Sequence, residues 1–149
     1  MRAVIQRVSR ASVTVDGAIT GAIDRGLLVF LGVGKDDTQA DINFIADKIV
    51  NLRIFEDADG KMNLSVSDIG GAVLLISQFT LFGDCRKGRR PDFTAAGPPD
   101  MANQLYEQTI AAIKARGIPV ESGIFAAHMD IDTLNDGPVT LILDTAKRA

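Results

Sequence analysis

The sequence predicts an α+β fold in which a mainly antiparallel sheet, curled toward a barrel, carries two helices packed outside it. Three observations lead there. Hairpin-type connections dominate the first and last thirds of the chain. Two continuous apolar runs, at 27–33 and within 72–81, read as central strands buried on both faces. Two further stretches place apolar residues at helical spacing. At 149 residues, 46% hydrophobic and 23% charged, residues 1–149 make one domain able to bury a proper core.

The first strand alternates Ala11, Val13 and Val15 with Ser12, Thr14 and Asp16. Val4 and Val8 lie on the other parity, so the buried face is expected to switch near Ser9 and Arg10 through a bulge. Arg7 sits in this strand, either as a solvated edge charge or as a group holding a site. Asp16-Gly17 is a two-residue hairpin signal, because the turn needs positive φ. Residues 18–23 form the return strand, and Asp24-Arg25-Gly26 turns again into the apolar run LLVFLGV at 27–33.

A polar break at 35–39 starts a helix, with Thr38 as cap and Asp41 near the positive end of the dipole. Ile42, Ile45, Ala46, Ile49 and Val50 give it one apolar face. Residues 52–55 leave the helix. The acidic run Glu56-Asp57-Ala58-Asp59-Gly60 lacks the distal Glu of a calcium loop and reads as a solvated turn.

The stretch 72–81, AVLLISQFTL, starts as buried strand and ends in Ser77, Gln78 and Thr80, with Phe79 and Leu81 between them. A core strand ending in polar groups fixes where they point, and so suits a reaction site. Arg86-Lys87-Gly88-Arg89-Arg90 follows directly. With a net charge of −3, any nucleic-acid contact must be local, which makes this basic loop informative. Phe79, Phe82 and Phe93 are candidates for base stacking or for the core, and Phe79 reads as core. Residues 91–99 are loop. A second helix starts at Asp100 and carries Ala102, Leu105, Tyr106, Thr109, Ile110 and Ile113 on one side, with Gly117 and Pro119 ending it. Residues 120–125 and 129–134 read as short strands. Asn135-Asp136-Gly137-Pro138 reads as a tight connection to a last strand at 139–143, with the isomer at Pro138 open.

No apolar run reaches the length of a bilayer span, and the N-terminus has no apolar signal region. The single cysteine, Cys85, cannot form an internal disulfide, so a cytoplasmic location is the default expectation. One histidine and one cysteine leave little for a soft-metal site, and no cofactor is expected. Ser77 and Thr80 are candidate nucleophiles, yet a hydroxyl needs a base. The only histidine, His128, lies in an apolar alternation and reads as structural or exposed. The Gly-x-Ser-x-Gly elbow is missing around Ser77. Chemistry without a base points to backbone amides stabilising charge on a carbonyl oxygen, with the substrate supplying the base.

Two groups of residues then stand out together. Ser77-Gln78-Phe79-Thr80-Leu81 with Lys87-Gly88-x-Arg90-Pro91-x-Phe93, and Asn135-Asp136-Gly137-Pro138-Val139-Thr140, resemble the two signature motifs of the D-aminoacyl-tRNA deacylases. The opening MRAVIQRVSRASVTVDG and the GLLVFLGV strand resemble that family too, so the likeness runs over essentially the whole chain. It implies hydrolysis of the ester between a D-amino acid and the terminal adenosine of tRNA, and of glycine mischarged on tRNA. It implies a homodimer with sites at the subunit interface, where Ser77 to Leu81 of one subunit face a cis Gly137-Pro138 turn of the other. The carbonyls of that turn would hold the substrate's amino group, and an L side chain would collide with it. Arg7 matches a family arginine that buttresses the turn. Arg86, Lys87, Arg89 and Arg90 would lie toward the tRNA acceptor end. The catalytic set so implied is Ser77, Gln78, Phe79 and Thr80. In it Thr80 is either a nucleophile or, as the missing base favours, a backbone donor beside Phe79 while the ribose 2′-hydroxyl assists water. Ala126 stands where the family often has glycine. Two other readings remain: a non-catalytic nucleic-acid-binding module using the basic loop, and a small-molecule hydrolase using Thr80 or Ser77 directly.

Overall fold

The computed structural model describes residues 1–147. The elements run β1 (Arg2–Val15), β2 (Ala18–Ile23), β3 (Gly26–Gly32), α1 (Gln39–Asn51), β4 (Phe55–Glu56), β5 (Met62–Leu64), β6 (Ala72–Ser77), a 3-10 turn (Phe79–Phe82), α2 (Pro99–Ala115), β7 (Val120–Ser122) and β8 (Asp130–Asp144). A last 3-10 turn covers Thr145–Lys147.

The main sheet has the order β2-β1-β3-β6-β7, with β8 on the other side of β1. β1 pairs antiparallel with β2, β3 and β8, whereas β3–β6 and β6–β7 are parallel. Parallel neighbours need a crossover. Here α1 lies in the connection from β3 to β6, and α2 in that from β6 to β7. The two apolar runs therefore read as they should, because both faces of β3 and β6 are covered. Leu27, Val29, Leu31, Val73 and Leu75 pack with Ile42, Ile45 and Ile49 of α1 and Tyr106 and Ile113 of α2. Leu28, Leu74 and Ile76 face the opposite way, into a second core with Val8, Ala11, Val13 and Ile23.

That second core fills the curl of the sheet. Its ends approach each other so closely that a Cβ on Gly21 of β2 would fall 2.6 Å from the carbonyl oxygen of Ser122 in β7. The sheet is thus nearly a closed barrel. Within the sheet, the pairing of β3 with β6 depends likewise on Gly26, where a Cβ would fall 1.9 Å from the Ala72 carbonyl oxygen of the paired strand. Backbone on both sides leaves nothing to yield. Gly26→Ala is expected to cost about 3 kcal/mol of unfolding free energy, read as a lower urea midpoint at unchanged slope.

The face switch in β1 is real. Ala3 and Ile5 belong to the helix-side core, Val8, Ala11 and Val13 to the barrel interior, and the β1–β8 register shifts between Val8 and Arg10. Val4 is only half-buried. Thr38 starts α1, its amide donating to Asp41 Oδ2 at 2.8 Å. α2 begins at Pro99, one residue before the expected Asp100, because proline suits the first helical position. The acidic run ends in a tight turn in which Asp57 accepts from the Asp59 and Lys61 amides, between the small strands β4 and β5.

Two strand expectations need correction. Residues 120–125 are strand only over Val120–Ser122. Residues 129–134 and 139–143 are not two strands joined by a tight connection but parts of β8, both paired with β1. Gln6 stands opposite Thr140 and Val8 opposite Asn135, so residues 136–139 bulge out across Arg7 alone. The long partner β1 keeps both halves in one ladder and pushes Gly137-Pro138 out of it.

Candidate active site

β6 stays in register with β3 as far as Ser77, which pairs with Leu31. The Gln78 amide donates to the Leu31 carbonyl at 2.8 Å. The expected strand then ends, and Phe79–Phe82 close a 3-10 turn instead. A strand would point successive amides to opposite sides. The turn points its first amides the same way and leaves them without an internal acceptor. The Leu81 amide donates to Gln78 O at 3.3 Å and the Gly83 amide to Thr80 O at 2.9 Å, while those of Phe79 and Thr80 find no acceptor among the described residues. The Gln78 side-chain amide donates to Thr80 Oγ1.

A cleft of about 710 Å³ opens beside this turn. Ser77, Gln78 and Phe79 form one wall, Phe93 and Pro98 another, and the loop from Phe125 to Met129 a third. Phe79 is not core: it is 53% exposed and meets Phe93 edge-to-face, with ring centroids 5.1 Å apart. Phe82 is half-buried beneath the turn. Ala126 lines the cleft with a φ of 63°, a left-handed conformation that explains why glycine suits this position. Among the cleft-lining residues only His128 has an ordinarily titratable side chain. It is 92% exposed, with Asp130 Oδ1 at 3.5 Å as its partner. Among the described residues no group of three or more His, Cys, Asp or Glu side chains is placed to hold a metal ion.

Tyr106 supports the cleft from below, a role the sequence reading missed. Its hydroxyl donates to the Leu75 carbonyl at 2.7 Å, and its ring lies 6.2 Å from that of Phe125. Burial pushes its hydroxyl up to about 12. The folded state therefore holds this proton more tightly than the unfolded chain. The associated stability is present below pH 10 and is expected to drain away between pH 10 and 12, an effect Tyr106→Phe would remove from the pH dependence of the melting temperature.

The Gly137-Pro138 bulge is built with equal rigidity. Its peptide is cis, and Gly137 has a φ of 129°. Arg7 is buried at 5% exposure, which excludes the solvated-edge reading. Its Nη1 donates to the Ile54 carbonyl at 2.7 Å and its Nε to the Asp136 carbonyl at 3.1 Å. The Asp136 carboxylate lies 3.4 Å from the same Nε. Asn135 closes the base of the bulge, accepting from the Val139 amide at 3.2 Å and donating to Thr140 Oγ1 at 3.1 Å. Within one chain neither Gly137 nor Pro138 lines the cleft, and Thr80 stands exposed outside its lining.

The basic loop is closed by a pair of backbone bonds between Asp84 and Asp92, of 2.7 and 3.0 Å. Arg86 is not a free cation: its Nη2 and Nε reach both Asp84 oxygens at 2.7 and 2.9 Å, and this holds the Asp84 carboxyl down at about 2. Lys87, Arg89 and Arg90 are exposed and have no carboxylate partner among the described residues. Cys85 is exposed beside them.

Residues 4–144 match the D-Tyr-tRNA(Tyr) deacylase family. The chain is 60% identical over 147 residues to the D-aminoacyl-tRNA deacylase of Thermotoga petrophila, covering 99% of each chain. The chain belongs to this deacylase family. It is thereby an enzyme of the hydrolase class. The D-aminoacyl-tRNA deacylase of Koribacter versatilis is likewise 60% identical over 147 residues, 99% of each chain. A solved structure titled c-Myc DNA Unwinding Element Binding Protein superposes with a TM-score of 0.93 at 42% identity, over 97% of this chain and 99% of that one. A structure titled as a probable eukaryotic D-amino acid tRNA deacylase, 18% identical with a TM-score of 0.82 over 95% of this chain and 97% of that one, shares the fold. The fold shared with these structures thus includes the nearly closed barrel and its two crossover helices. No helix among the described residues is long and apolar enough to cross a membrane.

Proposed function

We propose that this chain hydrolyses the ester bond of D-aminoacyl-tRNA, and of glycine mischarged on tRNA, releasing free tRNA and the amino acid while rejecting L-aminoacyl esters. One observation carries the reading: two consecutive unpaired amides, Phe79 and Thr80, stand at the end of a fixed strand beside a cleft whose lining holds no carboxylate. Such amides stabilise the oxyanion that forms when water adds to the ester carbonyl. Water forms the new C–O bond and gives up a proton. The ester C–O bond breaks, and the ribose oxygen leaves protonated. The ribose 2′-hydroxyl of the substrate relays the proton in place of a protein base. The Gln78 contact on Thr80 Oγ1 engages an oxygen lone pair and argues against Thr80 as nucleophile.

Selection is assigned to Gly137-Pro138, whose carbonyls receive the substrate's amino group and whose backbone blocks an L side chain. Glycine has no side chain to block and passes. A homodimer brings the turn of one protomer to Ser77–Leu81 of its partner, which fits a bulge that is rigid yet apart from its own chain's cleft. Lys87, Arg89 and Arg90 meet acceptor-end phosphates, Arg86 orders their loop, and the enzyme acts in the cytoplasm.

A second reading, a nucleic-acid-binding module without catalysis, draws on the cations of the basic loop and on the similar structure named as a DNA unwinding element binding protein. Deacylation of D-tyrosyl-tRNA against L-tyrosyl-tRNA, with a metal chelator present, separates the two. Rapid loss of the D ester alone is the expected result. Equal loss of both would leave an esterase without a chiral filter, and binding without hydrolysis would favour the module.

A further inference from the structure

We infer that Arg2, the residue that opens β1, is a positioning residue for the Phe79–Phe82 turn. The inference rests on the reading that the Phe79 and Thr80 amides polarise the ester carbonyl. Arg2 Nη1 donates to the Leu81 carbonyl at 2.9 Å, across 79 residues of sequence. Its guanidinium lies 4.6 Å from the centroid of the Phe82 ring, and its Nε is 3.4 Å from Asp144 Oδ2 at the end of β8.

The significance lies in what else holds the turn. The Leu81-to-Gln78 and Gly83-to-Thr80 bonds are internal to it, and they set its shape without fixing its place in the molecule. Gln78 N to Leu31 O ties its first end to β3. Among the described residues, Arg2 is the one side chain from outside the segment that hydrogen-bonds the turn's backbone. The turn is therefore pinned at both ends, by β3 before the free amides and by Arg2 after them. Beneath it the fit is close: a Cβ on Gly32 would fall 3.0 Å from Gln78 O and 3.1 Å from Leu81 Cβ, and one on Gly34 would fall 3.0 Å from the Phe82 ring. The floor stops the turn from sinking, and Arg2 stops its far end from lifting or rotating. A guanidinium at the carbonyl end of the turn also opposes the partial negative charge there. Arg2 touches no reacting atom in this arrangement. It acts through the peptide plane of Leu81 on the direction of the two amides.

Loss of this anchor is expected to slow chemistry and leave substrate binding alone, because the amides gain most when charge develops on the oxygen. The measurement is single-turnover hydrolysis of D-tyrosyl-tRNA at varied excess of enzyme, with melting temperatures taken alongside. Arg2→Met is expected to lower the maximal rate about tenfold, less than the roughly 10²–10³-fold of deleting a donor, with half-saturation within about twofold. Arg2→Lys, which still offers a donor to Leu81 O, is expected to recover most of the rate. Asp144→Asn, which leaves that bond in place, is expected to stay near wild type. Arg2→Gln cannot span the same distance and serves as an independent version of the Met variant. A wild-type rate in both Met and Gln variants overturns the inference. So does a rate loss matched by Asp144→Asn and by the melting temperature, which would make Arg2 a strand-end tether only. If the wild-type chain hydrolyses no D ester, the proposed function falls and takes this inference with it; an active wild type with unaffected variants removes this inference alone.

Discussion

On tRNA whose terminal adenosine lacks the 2′-hydroxyl, the D-aminoacyl ester is expected to be cleaved about 10²–10⁴-fold more slowly than on ordinary tRNA, the usual scale of lost acid–base assistance. Thr80→Ala is expected to keep the rate within about fivefold, because the backbone donor survives the substitution. The asymmetry follows from the cleft. Its one ordinarily titratable lining residue, His128, is 92% exposed and turned to Asp130. Tyr106, whose ring packs against the cleft-lining Phe125, keeps its proton to about 12 and so cannot act as a base at neutral pH. Thr80 Oγ1 already accepts a hydrogen bond from Gln78. In the proposed reaction a proton must nevertheless leave the attacking water, and the ribose hydroxyl adjacent to the ester is assigned as its acceptor. Parallel single-turnover measurements on the two substrates and the two enzymes decide it. A Thr80→Ala variant that is dead, with full activity on the deoxy substrate, would make Thr80 the nucleophile and sink substrate assistance.

The parts of the fold legible in the sequence are those governed by periodicity. Leu27 and Leu28, or Val73 and Leu74, are adjacent apolar residues serving opposite cores, which is why an unbroken run marks a strand covered on both faces. The switch of parity in β1 located a bulge because a buried face cannot change sides without an extra residue. What stayed hidden was set by distant partners. Ser-Gln-Phe-Thr-Leu has the residues of a strand, yet it forms a turn that packs on Gly32 and Gly34 and meets Arg2, all distant in sequence. Asn-Asp-Gly-Pro has every local mark of a reversal. It stays within one strand because β1 is long enough to pair on both sides of it. Arg86 looked like one of four free cations, although Asp84 two residues earlier takes it up; an Asp-x-Arg pair at that spacing was the available signal. Of the motif residues, the structure places Ser77, Gln78 and Phe79 at the cleft, and Thr80, Gly137 and Pro138 outside its lining within one chain. Their arrangement in space was not legible, because it depends on the tertiary ladder between β1 and β8 and, in the proposed function, on a second copy of the chain.

The proposed sharing of each site between two copies has the sharpest test. Gly137→Ala puts a methyl 2.9 Å from Arg7 Nη2 and 3.0 Å from Val139 Cγ2, at a φ of 129° that L side chains rarely adopt. Arg7 cannot retreat without giving up the Ile54 and Asp136 carbonyls, so the turn must move. A shift of about 1 Å in a positioning group costs roughly 10²-fold, and loss of the D-ester rate on that scale is expected. Phe79→Pro removes one of the two free amides at the first position of the turn, a position that favours proline in helices, and is expected to cost about 10²–10³-fold. Each homodimer carries its defect in both sites. If every site joins the turn of one protomer to the Gly-Pro of its partner, a mixed dimer has one site with both defects and one with neither. Random reassortment of equal amounts makes about half the dimers mixed, each with one intact site of two, so activity should return to about a quarter of wild type. Sites contained within single chains would give no recovery, since every chain in the mixture carries a defect. Co-expression of the two variants with different tags, purification of the mixed dimer, which should then show about half of wild-type activity, and assay on D-tyrosyl-tRNA thus distinguish a shared site from a private one. The recovered activity should also discriminate D from L, because the intact site would have its chiral turn as well as its amides.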